Sequence, residues 1–258
     1  MAFRNTPTAS EGFPSALPGK GTMVKNVLLF VAAAAGVASG AWTLVRSWPT
    51  PGANPRGIEG YGYGYLVQDG PSPQVFCVNG YTGSVYSSFA APGGAGAWGV
   101  CRGNAFSDLY LSNYLTSYVY HTTSAGSVMD SFHAALAGPA DMDYSYGLYV
   151  AFPDQNLIAR LDVTTGSVLA SYAGPGTRAT ASYYGHWIVA DSVTHTIYSD
   201  GVPIITTIQT PLGLSGDMTM SRMVCLAVVD DATDRVYQYF DSNAVAPASL
   251  GRIRALYR

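Results

Sequence analysis

An all-β fold of five propeller blades is predicted by three observations. A hairpin recurs as "TGSVYSSFAAPG" (82–93), "AGSVMDSFHAALAGP" (125–139) and "TGSVLASYAGPG" (165–176). The aromatic or apolar residue that ends its second strand recurs with it, at Trp48, Phe89, Phe132, Tyr172 and Ile208, spaced by 41, 43, 40 and 36 residues. The composition suits strands and turns: 19 Tyr, 29 Gly and 15 Pro stand beside few Lys and Glu, so good helix formers other than Ala and Leu are scarce. Four strands in a repeat of about 40 residues is the period of a propeller blade.

Each repeat holds a second segment that aligns with its fellows: "GYLVQDGPSPQVFCVN", "DLYLSNYLTSYVYHT", "GLYVAFPDQNLIARLD", "HWIVADSVTHTIYSD" and "VCLAVVDDATDRVYQY". In all five, an apolar run meets a turn of Asp, Asn, Pro, Ser or Thr and then an alternating strand, the pattern of a hairpin. A ring of such blades must close, and the sequence offers two ways to do it. Aligning Trp48 with Phe89 lays Thr43–Val45 over Ser84–Tyr86. Thr43–Trp48 is then a spare outer strand for the fifth blade, 214–240, which has three strands of its own. The alternative is that "GRIRALYR" (251–258) completes that blade.

The N-terminus is set apart from the fold. Met23-Val24-Lys25-Asn26 precedes the apolar run Val27–Ala38, and Ser39-Gly40-Ala41 supplies small residues for cleavage, so 23–41 reads as a signal peptide. Residues 1–22 are an extended n-region, disordered, or an upstream start that translation does not use. The expected product is one propeller domain, 42–258, with a C-terminal tail 241–258, secreted or periplasmic. The rival reading keeps Val27–Val45 as an uncleaved membrane anchor, the one case in which a membrane is a partner. No Cys lies near Ala41, so a lipoprotein anchor is not indicated.

With 48% hydrophobic and 11% charged residues, the chain is no disordered tail. Its net charge of −3 includes no basic run to neutralise a phosphate backbone, so nucleic acid is not an expected partner.

The segments "ARLDVTTG", "GSVLASYAGPG" and "HWIVADSVTHTIYS" resemble the secreted bacterial propeller repeats of the NHL, YVTN and gluconolactonase-like (virginiamycin B lyase-like) group, over about residues 43–240. That group contains binding modules, lyases and calcium-dependent lactonases, so the resemblance implies a scaffold before it implies an activity. The expected role is a binding or surface-structural module without turnover. The alternative is a metal-dependent lactonase or lyase with its site at the central channel.

Propeller channels are lined by the innermost strands, which align as "GIEGY" (57–61), "GVCRG" (99–103), "ADMDY" (140–144), "ATASY" (179–183) and "GDMTM" (216–220). In this alignment Asp141 and Asp217 share a position with Ile58, Val100 and Thr180, and Glu59 lies one place further on. Glu59, Asp141 and Asp217 are the candidate metal ligands of the enzyme reading, and Ca²⁺, which takes oxygen ligands, is the cofactor they would suit. No other cofactor is expected. The competing structural reading has these carboxylates hydrogen-bonding backbone amides in the channel.

A candidate ligand-binding face comes from tyrosines between the first and second strands of three blades: Tyr61 and Tyr63, Tyr144 and Tyr146, Tyr183 and Tyr184. A flat apolar ring with a polar tip suits a carbohydrate or a protein surface; the structural reading packs these rings between blades. His186 and His195 flank the fourth hairpin, and His121 and His133 fall on outer strands of blade two, none with an aligned carboxylate partner.

Other apparent motifs fail on context. Gly94–Gly99 matches G-x-G-x-x-G but leads into a strand, as a blade-to-blade corner does. Asp230, Asp231 and Asp234 align with the polar turns of the other blades. Cys77, Cys101 and Cys225 are either buried thiols or, for the first two, a disulfide across neighbouring blades.

Overall fold

The second strands of the repeats are largely apolar and the outermost are mixed, which is what stacked blades require. A strand inside a blade is covered on both faces by the neighbouring blades, whereas the outermost strand faces solvent. Thus "GYLVQD" (64–69) and "LYVAF" (148–152) are buried throughout, while "VYSSFA" (85–90) and "VLASYA" (168–173) are largely exposed.

The computed structural model describes residues 42–241 apart from 106, 175, 184, 185, 207 and 218–224. The chain begins with β1 (Trp42–Pro49). Blade one follows as β2 (Pro55–Tyr61), β3 (Gly64–Asp69), β4 (Gln74–Asn79) and β5 (Val85–Ala90), and blade two as β6 (Ala97–Arg102), β7 (Asp108–Asn113), β8 (Tyr118–Thr123) and β9 (Val128–His133). Blade three comprises β10 (Met142–Tyr144), β11 (Leu148–Phe152), β12 (Leu157–Leu161) and β13 (Val168–Ala173). Blade four comprises β14 (Thr177–Tyr183), β15 (His186–Asp191), β16 (Thr196–Ser199) and β17 (Val202–Ile205), and the last segment supplies β18 (Pro211–Asp217), β19 (Cys225–Asp230) and β20 (Arg235–Asp241). All five sheets are four-stranded and antiparallel. The fold is a five-bladed β-propeller.

Closure is made by the first strand. β1 pairs antiparallel with β20, from Trp42 opposite Asp241 to Pro49 opposite Arg235, and fills the outer place of blade five. The residues of the alternative closure, 251–258, lie outside the described residues, as do 1–22 and 23–41. Trp48 is buried among Ile58, Tyr65, Val78, Val229 and Val236, so one apolar cluster spans blades five and one. Its ring lies 6.0 Å from that of Tyr65, whose hydroxyl accepts a hydrogen bond from Gln238 Nε2 at 2.6 Å.

The recurrent "TGSV" turn has a joint to make. Gly83, Gly126 and Gly166 all have positive φ, and a Cβ on each would strike the aromatic ring that ends the preceding blade: Trp48, Phe89 and Phe132. Only glycine combines that backbone with that contact. The polar turns are stapled by their own side chains, as expected of Asx turns: Asn113 Oδ1 accepts the N–H of Leu115 and Thr116, Asp191 Oδ1 those of Val193 and Thr194, and Asp230 Oδ1 that of Ala232. Blade three replaces this turn with a short 3₁₀ helix, Pro153–Gln155.

Cys77 and Cys101 are free thiols, and the side chain of Cys225 lies outside the described ones. Among the described residues, no helix is long and apolar enough to cross a membrane.

Candidate functional site

The innermost strands meet backbone to backbone. A Cβ on Gly57 would lie 2.7 Å from Trp98 O and 2.9 Å from Gly99 Cα; one on Gly99 would strike Ala140 O; one on Gly213 would lie 2.8 Å from Gly57 Cα. Reading each hairpin from its turn inward puts Gly57, Gly99, Asp141, Ala179 and Gly213 at one level of the ring. Small residues here let five strands converge.

Asp141 is the exception in that ring, and it is wholly buried. Its Oδ2 accepts the Leu214 N–H at 2.9 Å, a bond from blade three to blade five, and its Oδ1 has no partner of hydrogen-bonding geometry. Burial pushes the Asp141 carboxyl well above the usual carboxylate range and nearby Glu59 adds to this, while the amides of Leu214, Met142 and Thr180 pull the other way. The same level is tied a second time: Ser112 Oγ accepts the Gly99 N–H at 2.8 Å and donates to Ala140 O at 2.6 Å.

This register corrects the alignment read from the sequence. Asp141 corresponds to Gly213 in blade five, and Asp217 lies four residues further along β18, paired with Cys225. The two do not share a repeat position. Letter matching set "DM" at 217–218 over "DM" at 141–142, whereas counting paired residues from each hairpin's turn, with the bulges at Pro55/Gly57, Ala97/Val100, Thr177/Ala179 and Pro211/Gly213 at one level, sets them four residues apart. The side chain of Asp217 lies outside the described ones. Among the described residues, no group of three or more His, Cys, Asp or Glu is placed to hold a metal ion.

Two residues beyond Asp141, toward the loops that join first to second strands, the ring reads Glu59, Cys101, Asp143, Ala181 and Ser215. Glu59 Oε1 accepts Arg102 Nε–H at 3.0 Å, joining blades one and two, and Ser215 Oγ accepts the Gly60 N–H at 2.9 Å, joining five and one. Cys101 is sealed beneath, its thiol pushed well up by burial and then by the charges of Glu59, Asp143 and Asp141. Asp143 is also pushed up by burial; the hydroxyls of Ser182 and Ser145 and the Arg102 guanidinium oppose this. The Asp143 side chain is partly exposed, yet its Oδ2 is closed off and makes no hydrogen bond of ordinary geometry.

Above this level opens a cavity of about 270 Å³ to which all five blades contribute: Glu59; Arg102, Gly103 and Asn104; Asp143 and Tyr144; Ser182; and Gly216. It is the mouth of the central channel. The ring of Tyr144 stacks 5.7 Å from that of Tyr110, which stacks 4.7 Å from His121. His121 Nε2 in turn lies 3.4 Å from Asp108 Oδ2. The Tyr110 hydroxyl is pushed up to about 12, chiefly by burial. His121 and His133 lie on the two outer strands of blade two, the third and the outermost, but His121 is linked to the mouth through that stack.

The structure separates the six candidate tyrosines. Tyr144 lines the mouth. Tyr63 and Tyr146 stand out from the first loops of blades one and three, 81% and 101% exposed. Tyr61 is half-buried and packs in the seam between blades one and two. Tyr183 ends β14 opposite His186 with its side chain outside the described ones, and Tyr184 lies outside the described residues. Sequence reasoning missed Arg102, Asn104, Asp143 and Ser182. Counting back through each hairpin from Asp69, Asn113, Asp191 and Asp230, which end the second strands, would have found that level.

No family model and no curated protein matches the sequence. Among solved structures, the glutaminyl cyclase of Myxococcus xanthus superposes with a TM-score of 0.62 over 78% of this chain and 96% of its own, at 10% identity. The Pan2 WD40 domain of Neurospora crassa reaches 0.47 over 73% and 75%, also at 10% identity. The chain shares a propeller fold. At such identity the likeness to the cyclase extends to the fold alone.

Proposed function

We propose that this propeller is an exported binding module whose small polar ligand enters the mouth of the central channel. The observation that carries the reading is the cavity itself: five blades converge on one polar opening in which carboxylate, guanidinium, amide and hydroxyl groups face the same space. A surface loop patch would draw its groups from one or two blades. Tyr63 and Tyr146 are exposed on first-to-second-strand loops, the side toward which the cavity opens, where they would meet the rest of a larger ligand. The repeat resemblance to the NHL, YVTN and gluconolactonase-like group supports the same reading of a scaffold that carries a site at its axis.

The test is a thermal-shift screen of the exported protein against neutral sugars, amino acids, dipeptides and Ca²⁺, beside a Glu59→Ala/Arg102→Ala double variant. One class is expected to raise the wild-type midpoint and leave the variant's unmoved. A screen with no response, or one shared equally by the variant, overturns the reading. A response to Ca²⁺ would turn it toward the metal-dependent lactonase or lyase.

Export belongs to the same proposal. The segment 23–41 is removed after Ala41, since β1 needs Trp42 onward for closure. Intact mass of the exported protein is expected to place Trp42 at its N-terminus; a chain that keeps 27–41 would be an anchored protein instead.

A further inference from the structure

Taking the binding reading as its basis, we infer that the channel mouth accepts a neutral polyhydroxyl ring, the terminal residue of a carbohydrate, in preference to an ion. The charges in the mouth decide between these classes. Glu59 and Arg102 are already joined at 3.0 Å, and Asp143 lies near the same guanidinium. A small cation entering here meets Arg102, and an anion meets Glu59 and Asp143, so an ion of either sign is opposed by a fixed charge. A ligand without charge is opposed by neither.

What the mouth offers such a ligand is alternation. Carboxylate oxygens only accept, guanidinium N–H groups only donate, and the Asn104 amide and Ser182 hydroxyl do both. Vicinal hydroxyls, each a donor and an acceptor, are the ligand groups that match a ring of alternating partners. Groups of this kind placed by different blades also fix orientation, because none can follow another when a side chain moves.

Size and shape narrow the class further. The opening of about 270 Å³ sits at the lower edge of the roughly 300–1,000 Å³ of small-molecule sites, a size that suits a single sugar ring. One wall is Tyr144, whose plane is fixed by its 3° stack on Tyr110. A fixed aromatic wall suits the apolar C–H face of a pyranose, while the hydroxyl edge of the same ring faces the polar groups. Tyr63 and Tyr146, exposed above, would then contact the residues that follow in the glycan chain.

The experiment is saturation-transfer NMR, with calorimetry for affinity, on the exported wild-type protein and three variants. The probes are the methyl glycosides of glucose, galactose, mannose and N-acetylglucosamine, with CaCl₂, ethylammonium and acetate as charged comparators. At least one glycoside is expected to bind. Ser182→Ala and Tyr144→Ala should each weaken it about tenfold, the loss of one buried polar or stacking contact, while Tyr144→Phe, which keeps the ring, should stay within about twofold. Equal loss in Tyr144→Phe and Tyr144→Ala would refute the stacking wall. Binding of ethylammonium, acetate or Ca²⁺ in place of the glycosides, with Ser182→Ala still weakening it, would overturn the carbohydrate class and leave the binding site standing. A glycoside that binds all three variants as it binds wild type would remove both the class and the site.

Discussion

Deleting residues 42–48 is expected to leave a protein that no longer unfolds cooperatively, whereas trimming 251–258 should change its midpoint little. The deletion removes the strand that pairs with β20 along its whole length, opens an edge in blade five, and uncovers the apolar cluster shared by blades five and one. A milder variant separates packing from pairing. Trp48→Ala keeps the strand but empties the centre of that cluster, at a cost of about 3–5 kcal/mol. In a domain of this size that is a fall on the order of 10 °C in Tm, measurable by calorimetry. A β1 deletion that melted like wild type would mean that closure contributes nothing to stability.

The second large effect concerns the carboxyl buried at the axis. Asp141→Ala leaves the Leu214 N–H without its acceptor and vacates space where five strands converge, so about 2–4 kcal/mol should be lost. Asp141→Asn keeps an acceptor and removes the charge. Since burial raises the folded pKa of Asp141 above its ordinary 3.8, the native state holds this proton more tightly than the unfolded chain does. Its contribution is therefore most favourable below 3.8 and declines as pH rises through the raised value. The Asn variant should gain on wild type as pH rises across that window. Urea titrations at several pH values read the difference directly. An Asn variant that loses ground with rising pH would show that the ionised carboxylate is being used, as a bound cation would use it.

The blade repeat was legible because chemistry forces its letters. Gly83, Gly126 and Gly166 need positive φ while lying against an aromatic ring, and no other residue serves, so "TGS" or "AGS" reappears with its Trp or Phe partner. Closure was legible for the same reason: Trp48 carries the aromatic of a blade whose other strands lie at the far end of the chain. The site was not. Its level is set by the count of paired residues from each hairpin's turn, and the "DM" of 141–142 and that of 217–218 are alike in letters and four residues apart in the ring. Asp143 and Arg102 were in view inside the quoted inner segments, but only the paired register brings them to one mouth. Tyr63 and Tyr146 were legible as loop residues, since symmetry places all first loops on one side, but Tyr61, Tyr144 and Tyr183 end the first strands instead, and whether a ring turns inward like Tyr144 or outward like Tyr146 depends on the local turn.

The pairing of Trp42–Pro49 with Arg235–Asp241 also sets an order of events. In blades one to four every strand neighbours the next in sequence, so each hairpin can form as soon as it leaves the ribosome. The first strand made has no such neighbour. It waits until the last strand has been delivered, and meanwhile Trp48 and the free edge of β20 stay open to other chains. The entropy of closing so long a loop grows only with the logarithm of its length, so the finished ring bears a modest cost. Time is where the burden falls: four blades assemble locally and quickly, and a single long-range encounter decides when the chain stops being an aggregation hazard.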